Sequence, residues 1–258
     1  MEDDLSEVSV TSGLRTRFIG QRVIIYPRLP STMEAAKREA QRGATEGTVV
    51  IAGEQTAGRG RINRVWFTPK GGLALSVVLY PSMVYLPSLI MVASLAVVHA
   101  IAAVTGLQSQ VKWPNDVLIN GRKVCGILIE SGVRGNTVDY AIMGIGINVN
   151  LRTADFAEIA SMATSLSDEM RREVARLKLI RKLLVDIERL YLSVQSGGSV
   201  YQEWRDSLVP LGRKVGVSLG KIVYEGTAEA VAEDGSLMLR CPDGSLTRIP
   251  AGDVALRD

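Results

Sequence analysis

The sequence predicts an α+β protein: a mixed, mostly antiparallel sheet with packed helices, followed by a small C-terminal β-barrel. Three observations carry that expectation. Apolar, β-branched runs recur between residues 22 and 149 without strict alternation with helices, which argues against a doubly wound parallel sheet. Two helical stretches of different character stand beside them, an uncharged one at Leu86 to Thr105 and an amphipathic one at Ser167 to Gln195. After Pro210 the chain changes to about four or five short strands separated by Asp-Gly turns.

In chain order, residues 1–20 form an N-terminal extension with a short helix around Leu5 and Val8. The main domain spans 21–209 and the small β domain 210–258. Arg22 to Tyr26 reads as a strand, and Ser31 with Glu34 has capping-box spacing for a helix that ends near Gly43. Thr48 to Ala52 and Gly72 to Leu79 are buried strands. Gln110 to Trp113 and Val117 to Ile119 are short ones, the latter closed by the hairpin signal Asn120-Gly121. Lys123 to Glu130 and Val138 to Val149 continue the sheet. In the amphipathic stretch Leu177, Ile180, Leu183, Leu184, Ile187 and Leu190 recur at helical spacing, and Gly197-Gly198 stops it. Val200 to Leu208 adds a short helix with Trp204 buried. His99 is expected to be packed in the core.

Composition narrows the class of function. With 258 residues, 47% hydrophobic and 22% charged, the chain is a folded protein of one or two domains. A net charge of +3 gives no reason to expect a nucleic-acid partner. Two cysteines, Cys125 and Cys241, and a single histidine exclude a disulfide framework and lack metal-ligand spacing, which suits a reducing cytoplasm. The acidic start is unlike a signal peptide. From Gly71 to Val111 no Lys, Arg, Asp or Glu occurs, and Leu89 to Val104 approaches membrane length. A single crossing would strand the two polar motifs described next on opposite sides, so a core helix, not a membrane anchor, is expected.

The chemistry concentrates in two stretches. Gly53 to Gly71 sets Gly58, Arg59, Gly60, Arg61, Arg64 and Trp66 in a loop fed by a buried strand. Glycine lets backbone N–H groups converge on an anion, and arginine adds planar donors of permanent charge. Val111 to Glu130 sets Lys112 and Asp116 around a Trp-Pro-Asn turn. Together they make an anion site with a cation clamp, an aromatic wall and one carboxylate, suited to nucleotide or acyl-phosphate chemistry.

The Gly-Arg-Gly-Arg-x-x-Arg-x-Trp pattern from Gly58 to Trp66, Lys112-Trp-Pro-Asn-Asp116, and the strand from Lys123 through Gly126 to Glu130 resemble biotin protein ligases. The likeness runs from about Pro30 to Arg257 and makes 21–209 a catalytic domain of biotin/lipoate ligase type. It implies a two-step reaction. The biotin carboxylate attacks the α-phosphorus of ATP, giving biotinyl-5′-AMP and pyrophosphate with Mg²⁺. A lysine of a biotin carboxyl carrier domain, as in acetyl-CoA carboxylase, then displaces AMP. By the same resemblance Ser31, Thr32, Gln55 and the backbone at Gly126 hold biotin, and Gly58, Arg59, Gly60 and Arg61 close over it. Arg59, Arg61, Arg64, Trp66, Asn115, Asn148 and Arg257 face the nucleotide. Lys112 is matched to the main catalytic lysine, between the biotin carboxylate and α-phosphate, Arg61 assists, and Asp116 receives the proton of the incoming amine. No protein metal ligand is implied, since phosphate oxygens suffice for Mg²⁺. The family often pairs catalytic-domain sheets into homodimers.

Two departures stand out. The N-terminal stretch is too short for the DNA-binding domain of the family's repressor members, so a ligase alone is expected, and Met33 stands where asparagine is more usual. Ile62 and Asn63 fall at variable positions of the loop. Lipoate–protein ligases and octanoyl transferases share the fold and are the nearest rivals; the arginine loop followed by tryptophan favours biotin. A non-catalytic adenylate-binding regulator and an RNA-binding protein are rivals of another class.

Overall fold

Period-two alternation along a seven-stranded sheet gives this protein one face for packing and another for chemistry. The computed structural model describes residues 5–62 and 64–257. The first four residues of the expected N-terminal segment, Asn63 of the arginine loop, and residue 258 lie outside the described residues.

The chain runs α1 (Glu7–Thr11), β1 (Val23–Leu29), α2 (Thr32–Gln41), β2 (Val49–Gln55), β3 (Leu73–Leu79), α3 (Leu89–Thr105), β4 (Gln110–Lys112), β5 (Asp116–Ile119), β6 (Arg122–Arg134) and β7 (Thr137–Ile147). The sheet order is β1-β2-β3-β7-β6-β5-β4. Only the β1–β2 pair is parallel, because α2 returns the chain to the same end; the other pairs are antiparallel. Then follow α4 (Leu166–Met170), α5 (Arg176–Gln195) and α6 (Tyr201–Asp206).

Val49, Ile51, Leu73, Leu75, Val77, Ile145 and Ile147 form the aliphatic face, and α3 and α5 cover it in one continuous core. Residues Met83–Thr105 are long and apolar enough to cross a membrane by length and composition. Here the alanines of α3 let it lie close against α5 and the sheet, with Val92, Ala93, Ala96, Val97 and Ala100 fully buried. The opposite face carries a smaller cluster of Val50, Ala52, Ala74, Val78 and Ile142 under α2.

Two helical expectations are corrected. The stretch from Ser167 to Gln195 is two helices, not one. Arg171 turns left-handed at φ 52°, and Asn150, just after β7, clamps Val174 by accepting from its N–H and donating to its carbonyl, both at 2.9 Å. That tertiary clamp takes the backbone groups a continuous helix would have used. His99 is not packed in the core. It lies at the rim of α3, with Nε2 2.6 Å from Glu203 and Nδ1 3.1 Å from Arg189, and so ties α3 to α6 and α5.

The N-terminal segment packs onto the same body. Buried Glu188 of α5 accepts the backbone N–H groups of Arg17, Phe18 and Ile19 at 2.6, 2.9 and 2.9 Å. The last strands, β8 (Lys214–Leu219), β9 (Ile222–Val231), β10 (Leu237–Arg240), β11 (Leu246–Ile249) and β12 (Asp253–Leu256), form a five-stranded antiparallel sheet in the order β11-β10-β9-β8-β12. The two Asp-Gly pairs make its β9–β10 and β10–β11 turns, with Gly235 and Gly244 at positive φ, and Gly220, also at positive φ, makes the β8–β9 turn. Buried Trp113 donates its indole N–H to the carbonyl of Gly235 at 2.8 Å, joining the two sheets beside the polar motifs.

Candidate active site

One register of the main sheet organises the site. Reading across the strands, Tyr26, Ala52, Ala74, Gly146, Gly126, Asp116 and Lys112 are successive paired partners. Paired residues point to the same face, so this row is a floor of small residues ending in a carboxylate and an ammonium. The next row places Val50, Ser76, Gly144 and Leu128 side by side. The glycines are there for close approach. A β-carbon at Gly126 or Gly146 would overlap the Trp66 ring, which rests against both strands.

The arginine loop folds as a hairpin among the described residues. Its stem is closed by pairing of Gln55 with Thr68 and of Arg59 with Val65, and by bonds from Trp66 N–H to Gly58 O (2.9 Å) and Gly60 N–H to Arg64 O (2.7 Å). Each arginine has a separate partner. Arg59 pairs with Glu34 and, at 3.0 Å, with Glu130. Arg61 donates to Asn115 Oδ1 at 2.9 Å and to the carbonyl of Gly252 at 3.1 Å. Arg64 pairs with Asp253. Burial pushes the Arg61 guanidinium below its usual range, opposed by the carboxylates of Asp253 and Asp116.

The start of α2 departs from the capping box expected of Ser31 and Glu34. Ser31 is the N-cap residue, but its side chain makes no cap bond, and its buried hydroxyl has no hydrogen-bond partner among the described residues. Gln55 supplies the acceptor instead, taking the Thr32 N–H at 2.8 Å, while Glu34 turns to Arg59. Thr32 Oγ1 accepts from Ser76 at 2.8 Å, and Gln55 Nε2 donates to Thr68 at 3.0 Å. The amide is thereby fixed in one orientation.

Two hollows share a wall made by Trp66, Asp116, Lys123 and Arg64. The first extends over Gly126, Gly144 and Gly146 to Thr32, Met33 and Gln55, and takes in Arg59, Arg61 and Asn115. The second is lined by Lys112 and Asn148, with Ile159 and Met162 beyond. Asn148 is held there by donating to Thr164 O at 3.0 Å.

Lys123, absent from the candidate set read from the sequence, stands at the junction. Its ammonium is 2.7 Å from Asp116 Oδ1 and 5.2 Å from the centre of the Trp66 ring. Strict alternation from Gly126 would turn Lys123 to the other face. A β-bulge between Val117 and Leu118 shifts the register by one residue and brings it onto the glycine floor. Lys112, the residue first matched to the catalytic lysine, lines only the second hollow.

Arg257 is the one candidate that the fold sets apart. It faces the far end of the C-terminal sheet, 3.4 Å from Glu225 and against Gly216. Four residues along an extended strand cover about 13 Å, so when β12 delivers its first residue, Asp253, to the hollow, Arg257 is carried away from it. Asp253 and the Gly252 carbonyl were missed by sequence reading; the turn signal Ala-Gly-Asp was the only local hint.

Comparison with known proteins adds an independent line. Residues 25–148 match the model of the biotin/lipoate A/B protein ligase family, and residues 211–257 match that of the biotin protein ligase C terminal domain. The chain is 36% identical over 258 residues to the bifunctional ligase/repressor BirA of Bacillus subtilis, covering 98% of this chain and 79% of that protein. It is 33% identical over 223 residues to the biotin–[acetyl-CoA-carboxylase] ligase of Paracoccus denitrificans, covering 82% and 91%. Among solved structures, the biotin protein ligase from Aquifex aeolicus in complex with biotin and ATP superposes with a TM-score of 0.78 at 30% identity, over 92% of this chain and 99% of that one.

Proposed function

The chain belongs to the biotin/lipoate A/B protein ligase family, in its biotin protein ligase branch, and on that premise we propose how its own residues carry out the reaction. It is an ATP-dependent biotin ligase that activates biotin as the adenylate and transfers it to a carboxylase carrier protein.

The observation that carries the residue assignments is the shared wall of the two hollows. Biotin lies in the first hollow, over the glycines, and ATP extends into the second, so that carboxylate and α-phosphate meet beside Lys123. A carboxylate oxygen forms the new bond to phosphorus while the bond to pyrophosphate breaks. Both reactants are anions, and Lys123 and Arg61 neutralise the charge that gathers between them. Lys112 is a second cation behind Lys123, toward the nucleotide. Arg59, Gly60 and Gly58 shape the covering loop, and Trp66 walls the adenylate. Thr32, Gln55 and the unpartnered hydroxyl of Ser31 address the polar end of the vitamin. In the second step a carrier lysine attacks the acyl carbon, the bond to AMP breaks, and Asp116 is the base placed to take the proton.

Mg²⁺ travels with the nucleotide, on phosphate oxygens; no group of three or more His, Cys, Asp or Glu side chains fit to hold a metal occurs among the described residues. A homodimer through the catalytic sheet and a cytoplasmic setting are part of the same proposal. The domain division at about residue 210 belongs to the same proposal, and a C-terminal family match that begins at 211 supports it.

The test is release of pyrophosphate from ATP on addition of biotin, with lipoate as the control. Biotin-dependent release with none for lipoate is expected, and release with lipoate alone would move the protein to the rival branch.

A further inference from the structure

One boundary of the first hollow is not charged at all. Met33, the second residue of α2, is 5% exposed; it lines the hollow and also belongs to the small apolar layer beneath the helix. Its thioether lies directly on Gly144, where a β-carbon would overlap Sδ and crowd Cγ. Gly144 is paired with Ser76 on one side and Leu128 on the other, so the sulfur fills the only gap in that row of side chains. The polar groups nearby are already engaged: Ser76 donates to Thr32, and Thr32 donates to Gln55. This end of the hollow is therefore closed by an unbranched apolar side chain whose seat exists because residue 144 has no side chain. Methionine is suited to such a place, since its flexible thioether adapts to an irregular gap.

We propose that Met33, seated on Gly144, sets the depth of the vitamin hollow and is the residue that determines the size of ring system admitted. The inference rests on the assignment of the first hollow to biotin and adds to it a steric gauge. Any group placed at Gly144 must push the thioether forward into the space the ligand uses. Shortening residue 33 must open that space.

The experiment is a cycle of Gly144→Ala, Met33→Ala and the double variant. Biotin affinity is measured by titration calorimetry and folding by thermal unfolding. Gly144→Ala is expected to weaken biotin binding by at least about tenfold, the scale of overpacking a filled site. The double variant should recover to within about threefold of the parent, because the displaced side chain is gone. Parent-like affinity in Gly144→Ala, or no recovery in the double variant, would overturn the proposal. If Gly144→Ala does not fold, Met33→Ala alone decides. It should narrow the preference for biotin over its bulkier sulfone by at least about fivefold, and an unchanged preference would overturn the gauge. Failure of the parent protein to bind biotin would instead sink the assignment of the hollow, a result distinct from any of these.

Discussion

The two faces of the main sheet are built from the same strands and have opposite compositions. On β3, Leu73, Leu75 and Val77 look toward α3 and α5, while Ala74 and Ser76, between them, look toward α2 and the hollow. On β7, Ile145 and Ile147 face the helices, while Gly144 faces Met33 of α2 and Gly146 faces the Trp66 ring. One face gains stability by burying large aliphatic groups. The other gives up side-chain volume, at a conformational cost for each glycine in a strand, to make room for an aromatic wall and a ligand. Stability and chemistry can thus be altered separately by moving a single residue along one strand.

The largest expected effect falls on the aliphatic face. Leu75→Ala, at a fully buried position, should lower unfolding free energy by about 2–5 kcal/mol in a denaturant titration. Its folded fraction should still form the adenylate at the parent rate. A loss under about 1 kcal/mol would break the division between the faces.

Next comes the chemical face. Lys123→Ala should slow adenylate formation about 10²- to 10³-fold, roughly 2.7–4 kcal/mol of transition-state stabilisation. Its unfolding midpoint should barely move. Lys112→Ala should slow the same step less, and the reverse ranking in single-turnover assays would restore Lys112 as the principal cation.

Gly146→Ala should cost an intermediate amount, about 1–3 kcal/mol, because the added methyl meets Trp66. Tryptophan fluorescence should report the displaced ring, and an unchanged spectrum would mean that the glycine floor is not what seats it. The smallest effect is expected at the rim. Arg64 is largely exposed in its pair with Asp253, so Arg64→Ala should change stability by less than about 1 kcal/mol, while the adenylate dissociates faster. A dissociation rate equal to the parent's would remove Arg64 from the nucleotide site.

The two cysteines offer a control on burial. Cys125 lies on the aliphatic face, fully buried, and burial pushes its thiol well above the ordinary range. Cys241 is partly exposed, so a thiol reagent at neutral pH should label it first. Prior labelling of Cys125 would show that the core opens more readily than its packing implies.

Much of this was legible in the residues themselves. Glycines and arginines in one loop, Trp66, and the Lys-Trp-Pro-Asn-Asp turn mark anion chemistry because few other arrangements use those groups together. The alternation on β3 and the helical spacing on α5 follow from local periodicity. What escaped was non-local. The break between α4 and α5 depends on Asn150 reaching Val174, and the failed capping box at Ser31 depends on Gln55 arriving from β2. The surface position of His99 depends on Glu203 and Arg189 from two other helices.

By itself, then, the sequence determined which residue types gather in the loop and the turn that line the hollows, which strand faces are apolar, and where the Asp-Gly turns fall, since each of these rests on near neighbours along the chain. Only the tertiary structure decided which lysine joins the two hollows, which end of the C-terminal sheet meets the arginine loop, and which side chain rests on Gly144. The physical reason is register. A single bulge turns Lys123 onto the glycine floor, strand length carries Arg257 away while delivering Asp253, and α2 lays Met33 across a strand more than a hundred residues distant, and none of these is encoded by local spacing.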